Sequence, residues 1–476
     1  MGVYTTKPPD GGWGWLVVAG TFIVYALSSG SIMSFGVIYV ALLDAFGESR
    51  AKTALVGTLT YMVMALVNPY TGALSDRFGH RPVVVCGGVI ASVSLMLSSF
   101  STSLTQMYIT FGVMTGLGYG CAHLVSLHIV SKYFTTKLPT ATGIALSGSG
   151  FGIFLFSMVT QKLLDIYGWR GTLMVLSGMA LNICVAGMLF RPLIVRNTEE
   201  DVAMLTEKRQ EDRTEVEQRN FTTITPISLS VWTTKFASIR RTASQIYYFF
   251  DEVYCFSLLK LFQMYLLQLS VFLSWVAIMI MKGHVVKRAR EFGIGAFPAA
   301  SLVAVMGISQ TIGRPLAGII ANQKGVNRLL FYQSSMALSG GCMIASIYAD
   351  SYPGQFVLVI FNDIFNGFTT TLMSVLCIQY FGVEKFKYTY SLSHTSIGLA
   401  MLVGPALGGA IRDSTGAYVW TFYLGGFCFL FAAFIMCFMP IAGRCQALNT
   451  DNDAMRTTTS VDHKPTLVIV ENETSV

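Results

Sequence analysis

Long apolar runs alternate with short polar connections along most of this 476-residue chain. Runs of spanning length lie near 13–40, 53–75, 83–100, 106–131, 139–163 and 171–190. A polar stretch reaches to about 256, and six more runs lie near 258–281, 296–321, 328–347, 355–382, 388–411 and 417–440. Some 20 apolar residues in a helix cross a bilayer core. The pattern therefore predicts an all-α polytopic membrane protein with 12 transmembrane helices in two six-helix halves. Residues 1–12 are then an N-terminal segment, 13–190 the first half, 191–256 a central loop, 257–440 the second half and 441–476 a tail.

The halves repeat one another. Asn68-Pro-Tyr-Thr-Gly72, followed by Asp76, Gly79 and Arg81, matches Arg314-Pro-Leu-Ala-Gly318, followed by Asn322, Gly325 and Arg328. A second pair, Asp165-Ile-Tyr-Gly168 and Asp413-Ser-Thr-Gly416, stands at nearly the same offset. Carriers built from two such halves bind substrate between them near the midplane and alternate access by rocking.

Composition sharpens the class. The chain is 53% hydrophobic and only 12% charged, with 45 glycines, which excludes a set of soluble domains. Its net charge of +7 includes no lysine-rich run or aromatic–basic interleaving that would suit nucleic acid. The nine cysteines are scattered without metal-ligand or redox spacing and read as small packing residues. No cleavable signal peptide precedes Trp13, so the first span is expected to act as the insertion signal. Arg77 and Arg81, Lys132 and Lys137, and Lys324 and Arg328 fall on one side with both termini, which makes that side cytoplasmic. Lys282, Lys287, Arg288 and Arg290 dissent, because the run ending at 281 puts them in an outer loop. The central loop is dense in mixed charge from Glu199 to Arg213 and reads as a tether. Its sequon, Asn220-Phe-Thr222, falls inside on this topology and stays unmodified.

One charge stands out. From Phe292 to Gln323 the only formally charged residue is Arg314, and Pro315 follows it directly. An arginine at membrane depth costs a few kcal/mol unless water, a counter-charge or a ligand anion meets it. The proline removes the N–H that would bond the Thr311 carbonyl, so a cation and loosened backbone polarity sit together. That suits a site for a small organic anion; the alternative is an arginine snorkelling to the interface. Asn68 is its first-half counterpart, and Gln310, one turn earlier on the same face, is a second candidate contact. On the tenth span Asn362, Asp363, Asn366 and Thr370 fall within about 100° of one face. Asn366 is a candidate substrate contact. Asp363 is a candidate counter-charge to Arg314, a substitute proton carrier, or a buried partner without a transport role. His123 and His394 are candidate proton or substrate contacts, or packing residues. Nothing suggests a catalytic residue, a metal site or a cofactor.

Gly72-Ala-Leu-Ser-Asp76-Arg77-Phe-Gly79-His-Arg81 resembles the loop signature of the major facilitator superfamily. Its glycines permit a tight turn, and its carboxylate can pair with arginines or a facing helix end, a conformational latch between helix pairs. Asp10-Gly11-Gly12-Trp13-Gly14-Trp15 resembles the motif that opens the first span in the monocarboxylate transporter family. Tyr133-Phe134 through Ala141, Gly143, Ala145 and Gly148 resembles in part that family's second signature, with Thr136 and Thr140 in place of the usual basic and leucine residues. Trp13 and Trp15 also suit aromatic anchoring at the interface.

The resemblance implies a major-facilitator-type fold and a multi-pass solute carrier of the plasma membrane, moving a small monocarboxylate, organic acid or amino-acid-like solute through the lipid bilayer. A single-span escort glycoprotein is an implied candidate partner. Proton-coupled relatives place a lysine where this chain has Met33, and an aspartate where it has Gln310. The arginine is retained as Arg314, so anion recognition is expected and proton coupling is put in doubt, favouring uniport or exchange over symport. The rival reading is a membrane sensor or scaffold that keeps the fold without transporting. The ending, Thr474-Ser-Val476, has the form of a PDZ-domain ligand.

Overall fold

The computed structural model describes residues 3–5, 10–195, 258 and 261–442. The tether beyond Val195, the sequon at Asn220 and the PDZ-type ending at Thr474–Val476 lie outside the described residues. In the first half the helices are α1 (Trp13–Phe46), α2 (Arg50–Phe78), α3 (His80–Ser99), α4 (Leu104–Met107), α5 (Thr115–Tyr133), α6 (Leu138–Ala180) and α7 (Asn182–Met188). A π-helical segment, Tyr108–Met114, joins α4 to α5. The second half holds α8 (Phe262–Glu291), α9 (Ala296–Ala321), α10 (Arg328–Ala345), α11 (Tyr352–Phe381), α12 (Phe386–Thr415) and α13 (Val419–Ile435). Among the described residues the departure from helix is a pair of short parallel strands, β1 (Val3–Thr5) and β2 (Leu193–Val195).

Among the described residues, nine helical stretches are long and apolar enough to cross a membrane. One of them, Leu138–Met188, holds two of the expected spans, because Gly168 at φ 64° and ψ 179° breaks the helix. That backbone suits a residue without a Cβ. α2 and α10 have the length but carry more polar side chains, and with them the described helices make six rods in each half. Side-chain caps mark where polar connections begin. The Ser49 hydroxyl accepts from the Lys52 amide at the start of α2, and the Asn327 side chain accepts from Leu329 and Leu330 at the start of α10. Large apolar side chains such as Ile109, Ile166, Phe427 and Phe434 are exposed around the outside, the reverse of a soluble domain and the surface a lipid bilayer covers.

One sequence expectation is corrected. Lys282, Lys287, Arg288 and Arg290 do not form an outer loop, because α8 continues through them to Glu291. Arg288 is buried and donates to the Ser346 carbonyl (2.8 Å) and hydroxyl (3.2 Å), with the Phe422 ring centroid 4.4 Å from its guanidinium. Those partners satisfy a charge that the linear pattern assigned to water.

The two motifs at 10–15 and 133–148 meet in space. The Asp10 carboxylate accepts from the Thr135 amide (2.7 Å) and hydroxyl (2.7 Å) and the Thr136 amide (3.1 Å), ahead of α6. Trp13 Nε1 donates to the Leu189 carbonyl at 2.9 Å, while the Arg191 guanidinium lies 3.5 Å from the Trp13 ring centroid. Trp15 packs on Phe134 at 5.1 Å, and a Cβ on Gly14 would come within 2.9 Å of that same ring. The motif therefore fastens the start of α1 to both ends of the segment running through α6 and α7. Partial burial pushes the Asp10 carboxyl up, but the Thr135 hydroxyl and the three amides of Thr135, Thr136 and Lys137 outweigh it and hold it at about 2. A carboxyl lowered by folding contributes stability above its ordinary range and loses it as pH falls through the folded value. Asp10→Ala is expected to cost about 1 kcal/mol at neutral pH, as for a lost helix cap. Thermal unfolding of the detergent-purified chain measures this, and an unchanged transition would remove the staple from the account.

Candidate functional site

α6 of the first half packs along α9 of the second, and α2 packs along α12, so the candidate site residues are gathered at a seam between halves. Along it lies a cavity lined from both halves, among others by Tyr25, Met33, His123, Arg314, Tyr390 and His394. Arg314 enters it from α9, one turn after Gln310, as the helical spacing predicts. The arginine does not snorkel. It is 5% exposed, donates from Nη1 to the Leu146 carbonyl of α6 at 2.5 Å, and from Nη2 to Gln310 Oε1 at 3.0 Å. Gln310 passes the contact on, donating from Nε2 to Asp363 Oδ1 at 2.6 Å. Among the described residues, Arg314 Nε and Asp363 Oδ2 have no hydrogen-bond partner. The guanidinium is thus fixed at two nitrogens and retains a free donor. A guanidinium held in this way can take up an anion without first being ordered.

His123 of α5 and His394 of α12, far apart in sequence, are brought together with ring centroids 5.4 Å apart. The Tyr25 ring of α1 packs at a tilt against His123 with centroids 4.0 Å apart, and its hydroxyl meets that of Tyr390 at 3.2 Å. His394 Nδ1 is 3.1 Å from the Tyr390 carbonyl. This aromatic group lies along one wall of the cavity and ties the halves together. Tyr390 lies one turn beyond Lys387, and Lys387 contacts Asp76 of the loop signature. Lys132 stands 3.9 Å from the same carboxylate. The latch therefore joins Asp76 of α2 to α5 and α12. Its basic partners are these lysines, whereas Arg77 and Arg81 are exposed. Gly79 ends α2 at φ 91° with its N–H on the Ser75 carbonyl, whereas Gly72, expected at a turn, lies within α2 where a Cβ would meet only ordinary contacts.

Away from the latch, a second hollow shares Ile32, Met33, Tyr61 and Met401 with the central cavity. The route from Arg314 thus leads toward the end opposite Asp76. Asn68, Asp363 and Asn366 lie outside the cavity lining. Asn68 is fully buried in α2, and among the described residues neither of its side-chain amide atoms is partnered. Asn366 donates to Asn362 Oδ1 at 2.9 Å and accepts from the Ser339 hydroxyl at 3.4 Å, so it faces α10. Asp363 reaches the cavity through Gln310, and Thr370 alone of the four-residue polar stripe lines it.

Sequence reasoning missed three groups: the tyrosines 25, 61 and 390, the latch lysines, and Lys282. Lys282 lines the cavity beside Arg314. Its seven-residue spacing from Trp275, another lining residue, was the available signal, since seven residues return a helix to the same face.

Comparison with known proteins agrees with the fold. The family model of the Major Facilitator Superfamily matches residues 21–288 and 264–463. Monocarboxylate transporter 12 of Rattus norvegicus is 28% identical, over 93% of this chain and 88% of its own. Monocarboxylate transporter 4 of Mus musculus is 31% identical, over 88% of this chain and 82% of its own. Among solved structures, the crystal structure of a variant E. coli fucose:proton symporter superposes with a TM-score of 0.62 at 12% identity, covering 89% of this chain and 97% of that one. This chain belongs to the Major Facilitator Superfamily and, within it, to the monocarboxylate transporter family.

Proposed function

We propose that this membrane transporter carries a small monocarboxylate, or an organic acid or amino-acid-like solute of that size, by facilitative alternating access. The observation that carries the reading is Arg314, a buried guanidinium that lines a cavity between the halves with no carboxylate bonded to it among the described residues. Relatives named as monocarboxylate transporters support the substrate class. The latch is engaged at the Asp76 end, which is the cytoplasmic one if the basic loops face inward. On that orientation the cavity communicates with the outside and both termini are cytoplasmic. The plasma membrane is the setting this suits.

The test is uptake of labelled pyruvate, L-lactate, acetate, creatine and neutral amino acids in cells expressing the wild type or Arg314→Ala. Carboxylate uptake that disappears in the variant at equal surface expression supports the reading. A wild type at the surface that moves none of them favours the sensor or scaffold.

Coupling follows from the same residues. Met33 offers no titratable group, and Gln310 cannot carry a proton between membrane faces. Uptake is expected to be insensitive to dissipating an imposed pH gradient at constant external pH. Collapse of uptake on dissipation would assign the proton to Asp363 and the paired histidines, and Asp363→Asn would then abolish the dependence.

A further inference from the structure

Lys282 is a charge without a partner. It projects from α8 into the cavity that holds Arg314, and no ion pair or hydrogen bond within the described residues engages its ammonium. A lysine at membrane depth is retained there only at substantial cost unless it meets water or an anion. Asp363 is the carboxylate whose charge reaches it, yet Asp363 is committed through Oδ1 to Gln310. The position is also related by the internal repeat. Trp13 and Phe262 open α1 and α8, and Met33 and Lys282 each follow their helix start by twenty residues. Both side chains line the central cavity, one from each half. The two halves thus offer equivalent seats, and in this chain the cation occupies the second.

We propose that Lys282 is a second anion-binding cation of the cavity, contacting the substrate carboxylate together with Arg314. This rests on the carboxylate reading above and adds a charge rule to it. Arg314 and Lys282 supply two positive charges and ionised Asp363 one negative, so the empty site carries a single net positive charge. A monoanion neutralises it; a neutral amide does not. The site is thereby set for carboxylates with one charge.

The experiment measures KM and maximal rate of uptake at constant surface expression, using the best-transported member of the monoanions pyruvate, L-lactate and acetate. Lys282→Met is expected to raise KM about tenfold or more, the effect of losing one charge-assisted hydrogen bond. Combining it with Met33→Lys returns the cation to the same cavity from the other half and is expected to restore most of the affinity. Combining it with Asp363→Asn restores the net charge and is expected to recover part. If Lys282→Met does not reach the surface, Lys282→Gln reads the same change in KM. An unchanged KM in the single variant would overturn the role of Lys282 while leaving the carboxylate reading intact. A raised KM that neither combination lowers would make Lys282 a packing residue and overturn it equally. A wild type that takes up no panel member would overturn the carboxylate reading, and this inference with it.

Discussion

Arg314→Lys is expected to reach the membrane in normal amount and to lose most uptake. Lysine keeps the positive charge, but it replaces a planar five-donor fork with one ammonium on a flexible stem. In the wild type Nη1 is held by the Leu146 carbonyl and Nη2 by Gln310, which fixes the plane of the guanidinium beside the cavity. A single ammonium cannot reproduce both tethers and also grip a carboxylate. Loss of one or more hydrogen bonds to a charged group costs about 1.5–3 kcal/mol. That is about 10- to 100-fold in uptake at low substrate. Uptake normalised to surface labelling measures it. Wild-type uptake in the lysine variant would show that Arg314 provides charge alone.

Gly143→Val is expected to be as severe, for a reason that involves no ligand. α6 and α9 approach so closely that a Cβ at Gly143 would collide with the Arg314 carbonyl oxygen and lie 3.2 Å from the Gly318 Cα. A Cβ at Gly318 would in turn collide with the Pro139 carbonyl oxygen. Backbone on both sides leaves nothing flexible to yield. Overpacking at such contacts costs about 1–3 kcal/mol or more, and here it would displace Arg314 itself. Uptake should fall to background and the thermal transition should drop. Gly341→Ala is the control, because no atom lies within 4 Å of its added Cβ. Equal behaviour of the two variants would contradict the close seam between halves.

Much of this architecture is legible in the sequence because a bilayer imposes it. The apolar runs near 53–75 and 355–382 fall within α2 and about α11 to within a few residues, since spanning length and polar connections fix both ends. Arg314 is legible for the same reason, as a charge in a segment that otherwise has none. What escaped depends on distant partners. α8 runs past Met281 because Arg288 finds Ser346 and Phe422 across the bundle, and a linear scan sees only a cluster of basic residues. Asp76 meets Lys387, 311 positions away, although nearer arginines were the obvious expectation. The polar stripe on α11 was found by periodicity, but that helix packs against both α9 and α10. Its polar face therefore divides, with Asn366 serving the Ser339 contact and Asp363 the relay to Arg314. The opening motif was legible as a signature but not as a staple, because the amides that Asp10 caps belong to a segment more than a hundred residues later.

Binding by the purified full-length chain tests the central claim most directly. Thermal stabilisation by pyruvate is compared with that by pyruvamide, its neutral amide, in the wild type and in Arg314→Ala. The account predicts that pyruvate stabilises the wild type in a saturable way, that pyruvamide does not, and that neither stabilises the variant. Equal stabilisation by the acid and the amide, or undiminished stabilisation of Arg314→Ala by pyruvate, would contradict a carboxylate site built on Arg314.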